Sequence, residues 1–174
     1  MRASALALVA ALALLSPMPA WAQSLDDIVK AEKVVDEAWA QSPLRYRQYF
    51  FVAQAPTGFG MYDKRTDNVF KPGEKLIVYA EPAGYGWKDN GDGTFTFGFN
   101  IDLAVKSKDG EVLTSKQDFS DVALTSHAKN HEFMLALTLD LSGADPGDYI
   151  LEYTTRDIAS DKSAVLSLPF TIGN

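Results

Sequence analysis

Apolar and polar residues alternate through most of this chain. Phe95, Phe97, Phe99, Ile101, Leu103 and Val105 recur at strict period two, with Thr96, Gly98, Asn100, Asp102 and Ala104 between them. Neighbouring strand side chains point to opposite faces, so this spacing predicts a strand with one face on a core and one on solvent. Phe133, Leu135, Leu137, Leu139 and Leu141 repeat the pattern, and Ala164, Leu166, Leu168, Phe170 and Ile172 close the chain with it. Pro169 predicts an edge position for that last strand, because proline has no N–H to give a ladder. Further strands are expected near residues 44–54, from Lys75 to Glu81 with Pro82 closing it, and from Tyr149 to Arg156. Turn sequences separate them. Pro72-Gly73, Asn90-Gly91-Asp92-Gly93 and Asp109-Gly110 are hairpin-grade, and Asp145-Pro146-Gly147-Asp148 fits a type II turn. Ala55 to Val69 reads as a loop. About seven or eight strands on short connections predict a two-layer antiparallel sandwich.

Two segments break the alternation. Ala5 to Leu15 is an unbroken apolar run behind Arg2, followed by Pro17, Pro19 and the small-residue pair of Ala20-Trp21-Ala22. A positive start, a short apolar stretch and a small-residue cleavage site predict a secretory signal over residues 1–22, with cleavage after Ala22. No later stretch approaches membrane length, so no membrane span is expected after cleavage. Residues 23–43 predict a helix instead. Ser24 is placed to cap it, Asp26 and Asp27 suit the positive end of its dipole, and Ser42-Pro43 stops it. Ile28, Ala31, Val35, Ala38 and Trp39 recur at helical spacing. A helix this short is marginal alone, so its stripe calls for a surface, either the adjoining domain or a partner protein. Residues 44–174 are expected to form one β domain.

Composition narrows the chemistry. Cysteine is absent, which removes disulfides, thiolate catalysis and cysteine-zinc sites. The net charge of -7 argues against a nucleic-acid partner, which a basic surface would favour. His127 and His131 are four apart, but no glutamate completes a zinc motif, and they read as solvated loop histidines. Asp89-Asn90-Gly91-Asp92-Gly93 misses the spacing of a calcium loop, because Lys88 stands where the first aspartate belongs. Nothing calls for a cofactor, and no catalytic motif is present. Carboxylates are numerous enough for a hydrolase-like acidic pair, but they fall mostly in turns and on outward faces. The aromatics Phe59, Tyr62, Tyr85 and Trp87 lie in Gly-rich surroundings, where rings can stack on a sugar or a peptide. Arg45, Arg47, Lys64 and Arg65 are the one local basic group and read as scattered surface charge.

Phe70-Lys71-Pro72-Gly73-Glu74 leads into Val78-Tyr79-Ala80-Glu81-Pro82, and Pro146-Gly147-Asp148-Tyr149 opens the closing pair of strands. The second of these resembles the tyrosine corner of immunoglobulin-like sandwiches, with Leu151 where an antibody domain has its second cysteine. On these motifs residues 44–174 resemble a group of secreted bacterial proteins of uncharacterised function, each carrying an immunoglobulin-like β-sandwich. That resemblance implies a mainly β, immunoglobulin-like fold for residues 44–174, behind the N-terminal helix read from residues 23–43, and implies no catalytic residues. The expected role is an exported, non-catalytic protein, periplasmic or extracellular, that meets a protein partner in the cell envelope. A glycan- or peptide-binding module is the alternative, and an acidic hydrolase a third.

Overall fold

The computed structural model describes residues 24–173, so the expected signal segment lies outside the described residues. The chain is mainly β. One helix, α1 (Leu25–Gln41), precedes β1 (Arg45–Val52), β2 (Val69–Phe70), β3 (Lys75–Ala83), β4 (Lys88–Asp89) and β5 (Phe95–Ser107). Then come β6 (Val112–Ser126), β7 (Leu135–Asp140), β8 (Gly147–Asp157) and β9 (Ser163–Ile172). A three-stranded sheet has the order β1-β3-β7. The larger sheet runs β2-β9-β8-β5, with β6 along the other edge of β5 and β4 at its start.

The two sheets share one core, which is consistent with a two-layer sandwich. Phe51, Leu76, Val78, Ala80, Leu135 and Leu137 from the small sheet meet Phe97, Phe99, Ile101, Leu103, Leu151, Tyr153, Leu166 and Phe170 from the large one. The period-two spacing thus selects the inward face on both sides. Tyr153 is wholly buried with no partner for its hydroxyl, and desolvation pushes its pKa upward. A second, small cluster of Phe50, Val52 and Tyr79 lies apart from this core. The segment after β1 closes against that strand, with Ala53 N–H donating to Asp63 O at 2.8 Å and Arg65 N–H to Phe51 O at 3.0 Å.

Four local expectations change. The residues read as a loop up to Val69 end in β2, which runs parallel to β9, pairing Val69 with Thr171. β3 continues through Pro82 to Ala83, because β1 is irregular opposite it, between Tyr46 and Tyr49. The turn before β8 is Leu141 to Ala144, closed by a 3.2 Å bond, with Gly143 at φ 79. Gly147 is extended instead and opens β8 opposite Ile172, so Pro146-Gly147 does not centre a type II turn. Finally, β6 spans fifteen residues although its sequence barely alternates. It is an edge strand that is mostly exposed on both faces, so no core selects a pattern in it. Gly98 lets β6 approach β5 closely, since a Cβ there would sit 2.0 Å from Val122 O.

Candidate functional site

α1 starts where its cap chemistry says. Ser24 Oγ accepts from Asp27 N–H at 3.3 Å, and Asp27 accepts from Ser24 N–H at 3.1 Å. These two bonds form a reciprocal capping box, and the Asp27 carboxyl, accepting from Ser24 N–H and also from Ser24 Oγ at 3.0 Å, is held below its ordinary range. The helix ends as Ser42 N–H and Oγ both donate to Ala38 O.

A single side chain of α1 is buried, Trp39 in its last turn. Its indole N–H donates to Tyr85 O at 2.7 Å. Its ring stacks on Trp87 at 5.6 Å and meets the edges of Tyr85 at 5.1 Å and His131 at 4.7 Å. The Arg47 guanidinium lies over the same ring at 5.5 Å. Lys162 completes the joint, donating to Ala40 O at 3.0 Å and Gly84 O at 2.7 Å. The last turn of α1 has no basic residue of its own, so Lys162 supplies the cation that the negative helix end favours. Gly84 sits at φ 80 against Pro43, and a Cβ there would lie 2.4 Å from Pro43 O.

Most of the rest of the helix is exposed. Leu25, Ile28, Val29, Val34 and Val35 are 74%, 50%, 55%, 65% and 49% exposed. A groove of ≈ 310 Å³ follows Ile28, Ala31 and Val35, rimmed by Asp27, Glu32 and His131. Glu32 and His131 also line a second groove, of ≈ 430 Å³, with Asp36, Phe95, His127 and Lys129. His131 is therefore no solvated loop residue. It packs edge-on against both Trp39 and Trp87, with Nε2 3.1 Å from Asp36 Oδ1. Lys129 reaches the same carboxylate at 3.5 Å. His127 stays at the surface near Gly93 O.

The four aromatic candidates do not converge on one surface, and only Tyr85 and Trp87 meet, at 5.6 Å. Tyr85 has no exposed surface; its ring joins Phe97 and Phe99 in the core and its hydroxyl donates to Asn130 O at 2.7 Å. Trp87 is half-buried on Trp39. Tyr62 belongs to the other cluster, against Phe50 at 4.7 Å and Tyr79 at 4.6 Å. Phe59 is half-buried in the turn that Gly58 and Met61 close. Gly-rich surroundings suggest rings presented for stacking, whereas here a glycine serves close packing, as Gly86 abuts Ala159.

The remaining polar motifs are spent on local structure. Asp89 and Asp92 accept from the backbone of Gly91 and Thr94 in the hairpin, which lowers the Asp92 pKa through its Thr94 bonds. The basic group disperses, with Arg65 on Glu74 at 2.6 Å and Lys64 over Phe50 at 4.6 Å. Asp102 and Asp118 are bridged by Arg156 at 2.8 and 2.6 Å, so those two carboxylates share one guanidinium. Among the described residues no group of three or more His, Asp or Glu is placed to hold a metal. No helix of the described residues is long and apolar enough to cross a membrane.

Neither the protein-family models nor the curated proteins include a match to this chain.

Proposed function

We propose that this chain is an exported, non-catalytic protein of immunoglobulin-like architecture that works through protein–protein contact, in the periplasm or outside the cell. Strand order supports the architecture. In that fold strands A, B and E face G, F, C and C′. Here β1, β3 and β7 face β9, β8, β5 and β6. The Tyr149 hydroxyl donates to Asp145 O at 2.8 Å, four residues upstream, as a tyrosine corner does. Strand D, the fourth of the small sheet, has no counterpart among the described residues.

The contact reading rests on one observation, the uncovered aliphatic run of α1. The domain core is complete without it, and Trp39 is the one buried side chain that anchors the helix, beside the polar contacts of Asp36 and Lys162. Contiguous apolar surface rimmed by charge marks interaction sites on otherwise soluble domains. The helix carries Asp26, Asp27, Glu32, Asp36 and Glu37 against Lys30 and Lys33, which disfavours an anionic lipid surface as its target.

Photo-crosslinking from position 34 in the living cell envelope tests this. A discrete protein adduct is expected, and it should vanish when Ile28→Ser and Val35→Ser are combined. No adduct, or one indifferent to those substitutions, refutes the reading.

A further inference from the structure

Unpaired strand edges invite pairing with another chain, and folded proteins usually block them with charge, proline, bulges or cover. Three long edges of this sandwich are blocked in that way. β1 is irregular between Tyr46 and Tyr49, carries Arg45 and Arg47, and is covered at its end by the Lys64 segment. β9 is covered by β2 at Thr171 and has Pro169 beside it. β6 breaks register opposite Ile101 to Leu103, where Asp118 takes φ 47 and pairs with Arg156.

β7 has no proline, bulge or cover, and a single charge at its last residue. It pairs with β3 along its whole length and has no backbone partner on its other edge among the described residues. Leu135, Leu137 and Leu139 face inward, Ala136 and Thr138 are exposed outward, and Asp140 at its end is its only charge. Beside it the sandwich opens into an apolar cavity of ≈ 290 Å³, whose walls include Val105, Leu113, Leu139 and Leu141. Val112 and Leu113, at the start of β6 by this opening, are 54% and 52% exposed.

We propose that β7 pairs with β7 of a second copy, antiparallel about a two-fold axis at Leu137. Directly opposed residues of an antiparallel pair share a face. This register therefore sets Leu137 against Leu137 and Leu135 against Leu139 on the inner side, and Ala136 against Thr138 on the outer. Asp140 falls opposite Met134, so no like charges meet at the seam although the chain's net charge is -7. The three-stranded sheets of the two copies join into one continuous sheet, an isologous contact. One strand pair alone is small for a stable dimer, and the exposed Val112 and Leu113 beside the opening enlarge the contact.

Sedimentation analysis of the purified exported protein over a concentration series tests the pairing. A dimer is expected. Ala136→Lys with Thr138→Lys puts lysine opposite lysine twice across the axis and should weaken association about tenfold or more. The corresponding Ala136→Glu, Thr138→Glu protein should weaken likewise, and an equimolar mixture of the two should recover the dimer. Both positions are exposed, so thermal unfolding should report intact folds. The Ile28→Ser, Val35→Ser protein should dimerise as the unsubstituted chain does, which separates this seam from α1. A monomeric unsubstituted protein overturns the proposal. So does a dimer that survives both charged pairs, or one that dissolves only when α1 is altered.

Discussion

Trp39→Ala should release α1 while leaving the sandwich folded. The substitution deletes the one buried side chain of that helix. A buried Trp withholds about 200 Å² from water, about 5 kcal/mol at ~25 cal/mol per Å². Measured truncations of buried Trp to Ala cost about 3–5 kcal/mol. The 2.7 Å bond to Tyr85 O is lost as well, but undocking lets water reach that carbonyl, so the bond adds only about 1 kcal/mol. An undocked 17-residue helix is marginal in water even with its capping box. Loss of the anchor therefore melts the element. Hydrogen exchange read by mass spectrometry should show α1 amides losing protection by about a hundredfold or more, the equivalent of about 3 kcal/mol. Amides of β5 and β8 should keep theirs, because their core packs around Phe97, Phe99, Ile101 and Leu151, well inside the sheets. Trp39→Phe keeps an aromatic ring on Trp87 and forfeits the bond, so α1 should loosen by about fivefold. If α1 stays as protected in Trp39→Ala as in the parent chain, the single-anchor account is wrong.

Two further outcomes follow from the geometry. Tyr46 and Tyr79 have pKa values pushed up to about 12, each chiefly by desolvation, with Glu81 adding to the shift of Tyr79. A pKa raised in the folded state gives stability that is complete below the unfolded value of about 10 and is lost as pH rises through about 12. Thermal denaturation should therefore fall steeply across that window, and Tyr46→Phe should flatten the fall; an unchanged slope would count against the assignment. Tyr149→Phe removes the 2.8 Å bond to Asp145 O and should cost about 1 kcal/mol in urea unfolding, whereas no measurable cost would deprive the corner of its structural role.

Much of the β architecture is legible in the alternation. The spacing of Phe97, Phe99, Ile101 and Leu103 marks the face that the structure buries. The Pro72-Gly73 turn forms, with Gly73 at φ 76 and Glu74 N–H on Lys71 O. The candidate site was far less legible. Tyr85 and Trp87 look alike in a Gly-rich stretch, yet one is wholly buried and the other is not. Trp39 could be found as the last residue of a helical stripe, but nothing local says that it alone would dock. The Asp109-Gly110 turn marks where β6 begins, but its length is not legible, because an edge strand exposed on both faces needs no apolar period.

Strand faces, most turns, and the capped start and stop of α1 are readable along the chain, because each depends on residues a few positions apart. Which strands became neighbours, and therefore what each face met, was set by packing across the whole domain. Trp39 finds Tyr85 across 46 positions, and Tyr46 finds Thr155 across 109. Such contacts arise when sheets close around a shared core, and a period of two is the same for any strand order. The bare stripe of α1 and the undefended edge of β7 are of this second kind. Both are properties of what the fold leaves uncovered, which is settled only once everything else has packed.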